Sequence, residues 1–355
     1  MLPDLLWLLL AAAAVEACAG NPLRAAEGQS TAGKPHRTVI RLEENPIIRP
    51  DMLSGNDGEN ICGPSLIRVP DWLEKPLGKY YLYFAHHKGK YIRLAYADRL
   101  TGPWTVHTPG TLKLDDVLAA GDYRDIKGGH IASPDVHVDH ERREIRMYFH
   151  GLIGPGARWG HRSGVATSKD GISFKLAVPK PIGDPYFRVF QWEGYYYALT
   201  RTGNLARSSD GLTNWVERED TFPLGKQAMG LFAQAAHNPE AKAFMRHTAL
   251  KLDGKVLSVF FTRTGDAPES ILLSQADMRG DWTTWKLSRP VTLLKPETDY
   301  EGGKLPVQKS RAGSTLKRAP SPALQDPCIY REGDRTYLLY SVIGERGIAI
   351  AELKD

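Results

Sequence analysis

The sequence predicts an all-β chain folded as a five-bladed β-propeller, with four-stranded antiparallel blades around an axial funnel; three observations carry this. Past about residue 37 there is almost no sustained 3.6-residue periodicity, while short runs rich in Tyr, Phe, Val, Ile and Leu recur between Gly, Asp and Pro turns. Those runs return five times in one fixed order. The last unit also lacks an outer strand that the start of the body can supply. One or two β-sandwiches would use similar strands, but five copies of a single strand order favour the ring.

Each unit opens with a strand, at 63–69, 133–138, 184–190, 247–252 and 326–330. A strongly aromatic or aliphatic second strand follows at 79–84, 145–149, 195–199, 256–261 and 336–340. The third strands are expected at 92–97, 163–168, 204–208, 271–274 and 347–351. Four units then run through an Asp turn to an aromatic (98–104, 170–174, 210–215 and 277–282), which reads as the outer strand. The fifth stops at Asp355, and residues 38–42 are placed to complete it, making 37–355 one propeller domain.

The composition, 42% hydrophobic and 25% charged, is that of a globular protein with ample core, and a mean hydropathy of -0.36 excludes a polytopic membrane protein. A net charge of +5 without a basic run argues against nucleic acid as partner but suits an anionic polysaccharide. Residues 5–15 are apolar and too short to span a bilayer; with the small residues that follow, they read as a signal peptide over 1–20, then a flexible linker over 21–36. The expectation is an exported, periplasmic or extracellular protein, a monomer or weak oligomer. The segment around Cys18 leaves lipid anchoring open. Cys62 and Cys328, both near the starts of inner strands, read as buried free thiols, with one bridge as the alternative.

In an antiparallel blade the start of strand one, the end of strand two and the start of strand three share one end of the sheet. That end collects Asn60, His86 and His87 from unit one, and His130, Ser133, Asp135, His150 and His161 from unit two. Asp184, Arg188 and Arg201 come from unit three, Arg246, His247, Arg263 and Glu269 from unit four, and Asp326 and Glu345 from unit five. Polar groups so placed point into a funnel where burial and neighbouring charge tune acid/base behaviour. Asp135 is the hardest of them to explain as a turn former, whereas Asp184 and Asp326 precede prolines. No ligand spacing marks a metal site.

The order Asn45-Pro46-Ile47-Ile48, Gly63-Pro64-Ser65-Leu66-Ile67, Lys79-Tyr80-Tyr81-Leu82-Tyr83, then Tyr96-Ala97-Asp98 and Gly102-Pro103-Trp104, resembles the first blade of glycoside hydrolase family 43 and related propeller glycosidases. The resemblance implies axial acids: a base that activates water, a general acid and an orienting Asp. This chain departs from that pattern. Gly63 stands where the first-blade base belongs, Ser133-Pro134-Asp135 replaces an Asp-Pro, and Asp184-Pro185 stands where a glutamate is expected.

Three repairs are conceivable: Asp57 or Glu59 reaching in, Asp135 or Asp184 as base with His247 as acid, or no hydrolysis. A histidine acid has a parallel in the similar anhydrogalactosidase propellers of family 117. The expected catalytic set is therefore Asp135, Asp184 and His247. Substrate binding is expected from Asn60, His86, His87, His130, His150, Arg188, Arg246, Glu269, Asp326 and Glu345. Arg188, Arg246 and Arg263 would suit a substrate bearing carboxylate or sulfate. The expected activity is hydrolysis of a poly- or oligosaccharide, with sugar binding alone or a polysaccharide lyase as alternatives. No cofactor is implied beyond a structural divalent cation such as calcium.

Overall fold

Five sheets of four antiparallel strands hold nearly all the regular structure in the computed structural model, which describes residues 38–122, 129–152, 161–201, 203–218, 222–224, 227–312, 315 and 318–354. The expected leader (1–20) and linker (21–36) lie outside the described residues. What is described belongs to one compact unit, Arg37–Asp355.

Strand β1 (Thr38–Arg41) is first in the chain and last in the ring. Blade 1 comprises β2 (Cys62–Arg68), β3 (Tyr80–Ala85), β4 (Arg93–Ala97) and β5 (Thr105–His107). Blade 2 comprises β6 (Ile131–Asp139), β7 (Glu144–Leu152), β8 (His161–Ser168) and β9 (Lys175–Leu176). Blade 3 comprises β10 (Arg188–Trp192), β11 (Tyr195–Leu199), β12 (Leu205–Ser208) and β13 (Val216–Glu217). A hairpin, β14 (Phe222–Leu224) with β15 (Gln227–Met229), precedes blade 4, formed by β16 (Phe244–Asp253), β17 (Val256–Thr264), β18 (Ile271–Asp277) and β19 (Val291–Leu294). Blade 5 takes β20 (Gln325–Glu332), β21 (Arg335–Ser341), β22 (Ile348–Lys354) and, at its edge, β1.

The ring closes as the sequence predicts. Strand β1 runs antiparallel to β22 with Thr38 opposite Lys354 and Arg41 opposite Ala351. Arg41 then grips Glu301, Nε to Oε1 at 2.8 Å, and Tyr340 donates to the same carboxylate at 2.8 Å.

Each blade is buried on both faces by its neighbours, which is why its central strands read as unbroken apolar runs rather than alternating ones: every residue of β3 is buried. Five apolar clusters fill the five gaps between blades. The gap between blades 1 and 2, for instance, holds Tyr81, Tyr83 and Leu94 against Ile145, Met147 and Phe149. Burying each such side chain is worth about 1.5–3 kcal/mol. The gap between blades 2 and 3 is the least apolar, with Tyr148, Val165, Phe187, Val189 and Ala198 at its centre. Hydrogen bonds make up for this: Tyr148 donates to the Gly211 carbonyl at 2.7 Å, and Val189 N to Asp135 Oδ2 at 2.8 Å.

The outer strands of blades 1, 2 and 3 begin just past the residues the sequence marks for them, 98–104, 170–174 and 210–215, and two further elements differ more. The outer strand of blade 4 is not 277–282 but β19. Asp281 caps the Thr283 amide at 2.8 Å, and Trp282 and Trp285 turn into the apolar gap between blades 3 and 4. The inner strand of blade 3 starts at Arg188 rather than at residue 184, because the backbone before it is already engaged. Gly183 bridges Ser163, the Asp184 carbonyl takes the Ser163 hydroxyl at 2.7 Å, and the Pro185 carbonyl takes Arg201 N at 2.9 Å. Two short helices, α1 (Leu114–Ala120) and α2 (Leu231–Ala236), add to the all-β frame; α2 buries Phe232, Ala233 and Ala236 against blade 4.

One local feature recurs at the funnel end of every inner strand. Gly63, Ser133, Tyr186, His247 and Asp326 all adopt left-handed backbone, with φ of 62°, 50°, 67°, 45° and 48°. In blades 1, 2, 4 and 5 the strand register slips at this point. A bulge of this kind breaks the ladder and re-aims a side chain. Left-handed backbone costs a non-glycine residue about 1–2 kcal/mol, so four such residues on one ring mark strain held in place by the blades.

Candidate functional site

A cavity of about 110 Å³ lies at this ring. Its wall holds Ser133, Tyr186, His247 and Asp326, the four side chains that the five equivalent positions can offer. Around them stand Cys62, His87, Ala132, His130, His150, His161, Arg201, Arg246 and Glu345. Five of the chain's 11 histidines therefore converge on one small space.

On the side of blades 4 and 5 the cavity wall is an ionic network. Arg246 Nε lies 3.4 Å from Glu269 Oε1, and Arg246 Nη2 lies 3.8 Å from Glu345 Oε1. Glu345 Oε2 also accepts from Asn60 Nδ2 at 2.7 Å and from the Thr315 hydroxyl, with His87 Nδ1 3.6 Å away. Glu269 accepts from Thr262 at 2.7 Å and from Gln325 at 2.8 Å. Asp326 Oδ1 sits 3.4 Å from His247 Nε2.

The two cavity carboxyls are pushed apart in acidity. Burial, reinforced by the charge of Glu345, raises Asp326 well above the ordinary aspartate range. Burial opposes the charge of Glu345 as well, but its contact with His87 and the Arg246 guanidinium hold it below its ordinary value. Burial also raises Glu269. His247 is driven well below the usual histidine value by burial and by Arg246, so its imidazole is neutral near pH 7.

Blade 2 builds the other side, with His130 just before β6, His150 in β7 and His161 at the start of β8. Tyr186 stacks on His150, ring centroids 4.1 Å apart. Burial, then the Asp326 charge, pushes the Tyr186 phenol up to about 12. Arg201 places its guanidinium 5.8 Å from the centroid of the same tyrosine ring.

Of the residues the sequence places at the funnel end, His87, His130, Ser133, His150, His161, Arg201, Arg246, His247, Asp326 and Glu345 meet in the cavity. Asn60 and Glu269 stand behind it, holding Glu345 and Arg246. The others have different partners. Asp135 binds the Val189 amide and His137 Nε2 at 2.9 Å, tying blade 2 to blade 3; although its burial opposes the charge, His137 keeps its carboxyl below the usual range. Asp184 pairs with Arg162 at 3.2 Å. Arg188 is spent on the carbonyls of Thr248 (2.9 Å), Phe187 and Ser133, and Arg263 pairs with Asp266 at 2.8 Å.

His86 accepts from the Lys88 amide at 3.1 Å and lies off the cavity wall. Asp57 is held by Arg93 at 3.1 Å and by the Tyr91 hydroxyl, so it does not reach in as a substitute base. Cys62 and Cys328 are free thiols. Three wall residues, Tyr186, Cys62 and Ala132, are not in the expected set. The Xaa-Pro starts do not point to them: Gly63-Pro64 and Asp184-Pro185 are the dipeptides that match Ser133-Pro134 and Asp326-Pro327, so Cys62 falls one residue before the matched position and Tyr186 two residues after it.

Fold and site together define a class: the chain is a five-bladed β-propeller whose ionisable groups gather at the funnel, a fold it shares with solved family-43 glycoside hydrolases. It superposes on a glycosyl hydrolase from Bacteroides ovatus with a TM-score of 0.59 at 12% identity, over 89% of this chain and 93% of that one. A family-43 β-xylosidase/α-arabinofuranosidase from a compost microbial metagenome matches with a TM-score of 0.55 at 15% identity, over 89% and 96%. No protein-family model matches the sequence. The chain belongs to the family of the uncharacterized protein R118 of Acanthamoeba polyphaga mimivirus, to which it is 39% identical over 328 residues, 89% of this chain and 90% of that protein.

Proposed function

We propose that this protein is an exported carbohydrate-active hydrolase that binds a sugar at the funnel and uses Asp326 to protonate the leaving oxygen. The observation that carries this reading is the position of Asp326: it is the one carboxyl among the five left-handed axial residues. It is buried beside Glu345, whose charge helps keep the proton on it. Two neighbouring carboxyls driven in opposite directions are the arrangement that assigns a proton donor. His247, neutral and 3.4 Å away, orients the Asp326 carboxyl, and Arg246 fixes Glu345 behind it. Tyr186 and Arg201 offer a ring face and a cation to the sugar, the latter suiting a substrate that bears carboxylate or sulfate. The family-43 type of fold supports a carbohydrate as substrate, and the apolar stretch at residues 5–15 supports export.

Asp326 and Glu345 share one wall, with an oxygen of each within 4.8 Å of the other, and their opposed shifts in acidity make them one tuned donor. The test is product analysis on a polysaccharide panel with Asp326→Asn. Loss of a general acid should cut reducing-end release by about 10²–10⁴-fold while sugar binding survives. A folded Asp326→Asn variant hydrolysing at the parental rate would sink the assignment.

A second reading, sugar binding without hydrolysis, is favoured by Gly63, which leaves the first-blade axial position without any side chain. Binding to the panel with neither reducing ends nor an unsaturated uronide released would select it. Absorbance from an unsaturated uronide would instead point to a lyase.

A further inference from the structure

The register of blade 2 sets three imidazoles on one face of the sheet. His161 lies opposite Leu152, and continuing the pairing of Ile131 with Gly151 by one residue brings His130 opposite Leu152 from the other side. His150 is two residues along the same strand and so shares that face. The ring centroids of His130 and His161 are 4.9 Å apart, those of His150 and His161 5.6 Å, and those of His130 and His150 6.0 Å. Each ring offers a nitrogen, and the three nitrogens lie within 4.8 Å of one another.

Packing alone leaves this cluster unfinished. Among the described residues, the buried Nδ1 atoms of His150 and His161 have no hydrogen-bond partner. Each such atom left unpaired costs about 1–3 kcal/mol. A neutral imidazole keeps a lone pair on one ring nitrogen, so each ring can give one donor atom to an ion. On the far side of the cavity, by contrast, the oxygens of Glu345 are already occupied, and the Cys62 thiol is kept protonated by burial.

The donor set does not fit calcium, which takes six to eight oxygens. Imidazole nitrogens suit ions of borderline softness, and three protein ligands with a free fourth position are a zinc arrangement. We propose that His130, His150 and His161 bind one divalent first-row transition ion, zinc matching best, with an open position towards the funnel for a water or a sugar hydroxyl. Three nitrogens on one tetrahedral ion at about 2.1 Å stand about 3.4 Å apart, so binding draws the rings together by about 1 Å. The open position faces the cavity that Asp326 also lines, and its use by a sugar rests on the carbohydrate reading above.

The test uses the full chain stripped with chelator, titrated with Zn²⁺ by calorimetry and with Co²⁺ by visible absorption. One equivalent should bind with imidazole-type cobalt bands, weakened about 100-fold or more in His161→Gln and unchanged in His140→Gln, an exposed control. His161 is only half-buried and starts its strand, so its variant should melt normally; His150→Gln provides the second arm. The proposal is overturned if neither metal binds, if both histidine variants bind as the parent does, or if Ca²⁺ takes the site regardless of them. Asp326→Asn should lose hydrolysis but keep the metal, so the two readings fail separately.

Discussion

On the blade 4–5 side of the cavity each charge is answered by another: Arg246 lies between Glu269 and Glu345, Asn60 and Thr315 complete Glu345, and His247 faces Asp326. On the blade 2 side, three imidazoles stand together, and no described residue answers the Nδ1 atoms of His150 and His161. The first wall is a finished, preorganised network, whose electrostatic work consists in holding a proton where burial makes it valuable. The second has capacity to spare for a ligand. Two walls of one cavity, built from the same strand ends of the same fold, thus differ in whether their polar groups are satisfied from within.

The comparison is broken most severely by Arg246→Met. With Glu269 and Glu345 buried to within 1% of complete and deprived of their shared cation, unfolding stability should fall by about 3–5 kcal/mol in denaturant titration. A loss under about 1 kcal/mol would mean that the network is not the stabilising unit described here.

Gly63 sits where blade 1 meets blade 2. A Cβ there would lie 3.2 Å from Ser133 Cα on backbone already at φ 62°, so Gly63→Ala should cost about 2 kcal/mol. A neutral Gly63→Ala would show that the axial ring relaxes, and that an acid at this position is merely missing, not excluded.

The smallest effect is one of sign. Asp326 is raised in the folded state, so it costs nothing while protonated in both states. It then opposes folding increasingly as pH climbs from the unfolded value near 4 towards the higher folded one. Asp326→Asn should therefore melt about 2 °C above the parent at pH 8, with the gap closing by pH 4. A gap of equal size at both pH values would attribute the gain to packing and not to the buried charge.

Asp135 and Asp184 illustrate why the site was only partly legible. With two-residue alternation, Asp135 shares a face with Ser133 and points where Ser133 points. The actual register sets Ala132 against His150 and Asp135 against Tyr148, so residues 133 and 134 together oppose a single partner. That extra residue turns Asp135 out of the funnel and into the seam with blade 3. Asp184 differs for a related reason: the inner strand of blade 3 starts four residues after it, at Arg188. Asp326, by contrast, is itself the left-handed residue of its strand, whereas in the matching Asp184-Pro185 start that place falls to Tyr186; the weight of Asp326 in the site shows only with Glu345 beside it.

The sequence by itself determined the ring: five strand quartets in one order, an outer strand lent by residues 38–41, and a funnel end rich in histidine and acid. These are local properties, since side-chain alternation, turn residues and apolar runs act over a few neighbours. Which polar groups face one another was decided by tertiary structure alone. Glu345 meets Asn60 across 285 positions of chain, and Asp326 meets His247 across 79. Distances of that kind depend on the twist of five blades and on a bulge in four inner strands, and their effect on acidity depends on burial, which no single segment carries. The sequence therefore named most of the cavity's side chains, and the packed ring decided which of them hold a proton and which stand open to a ligand.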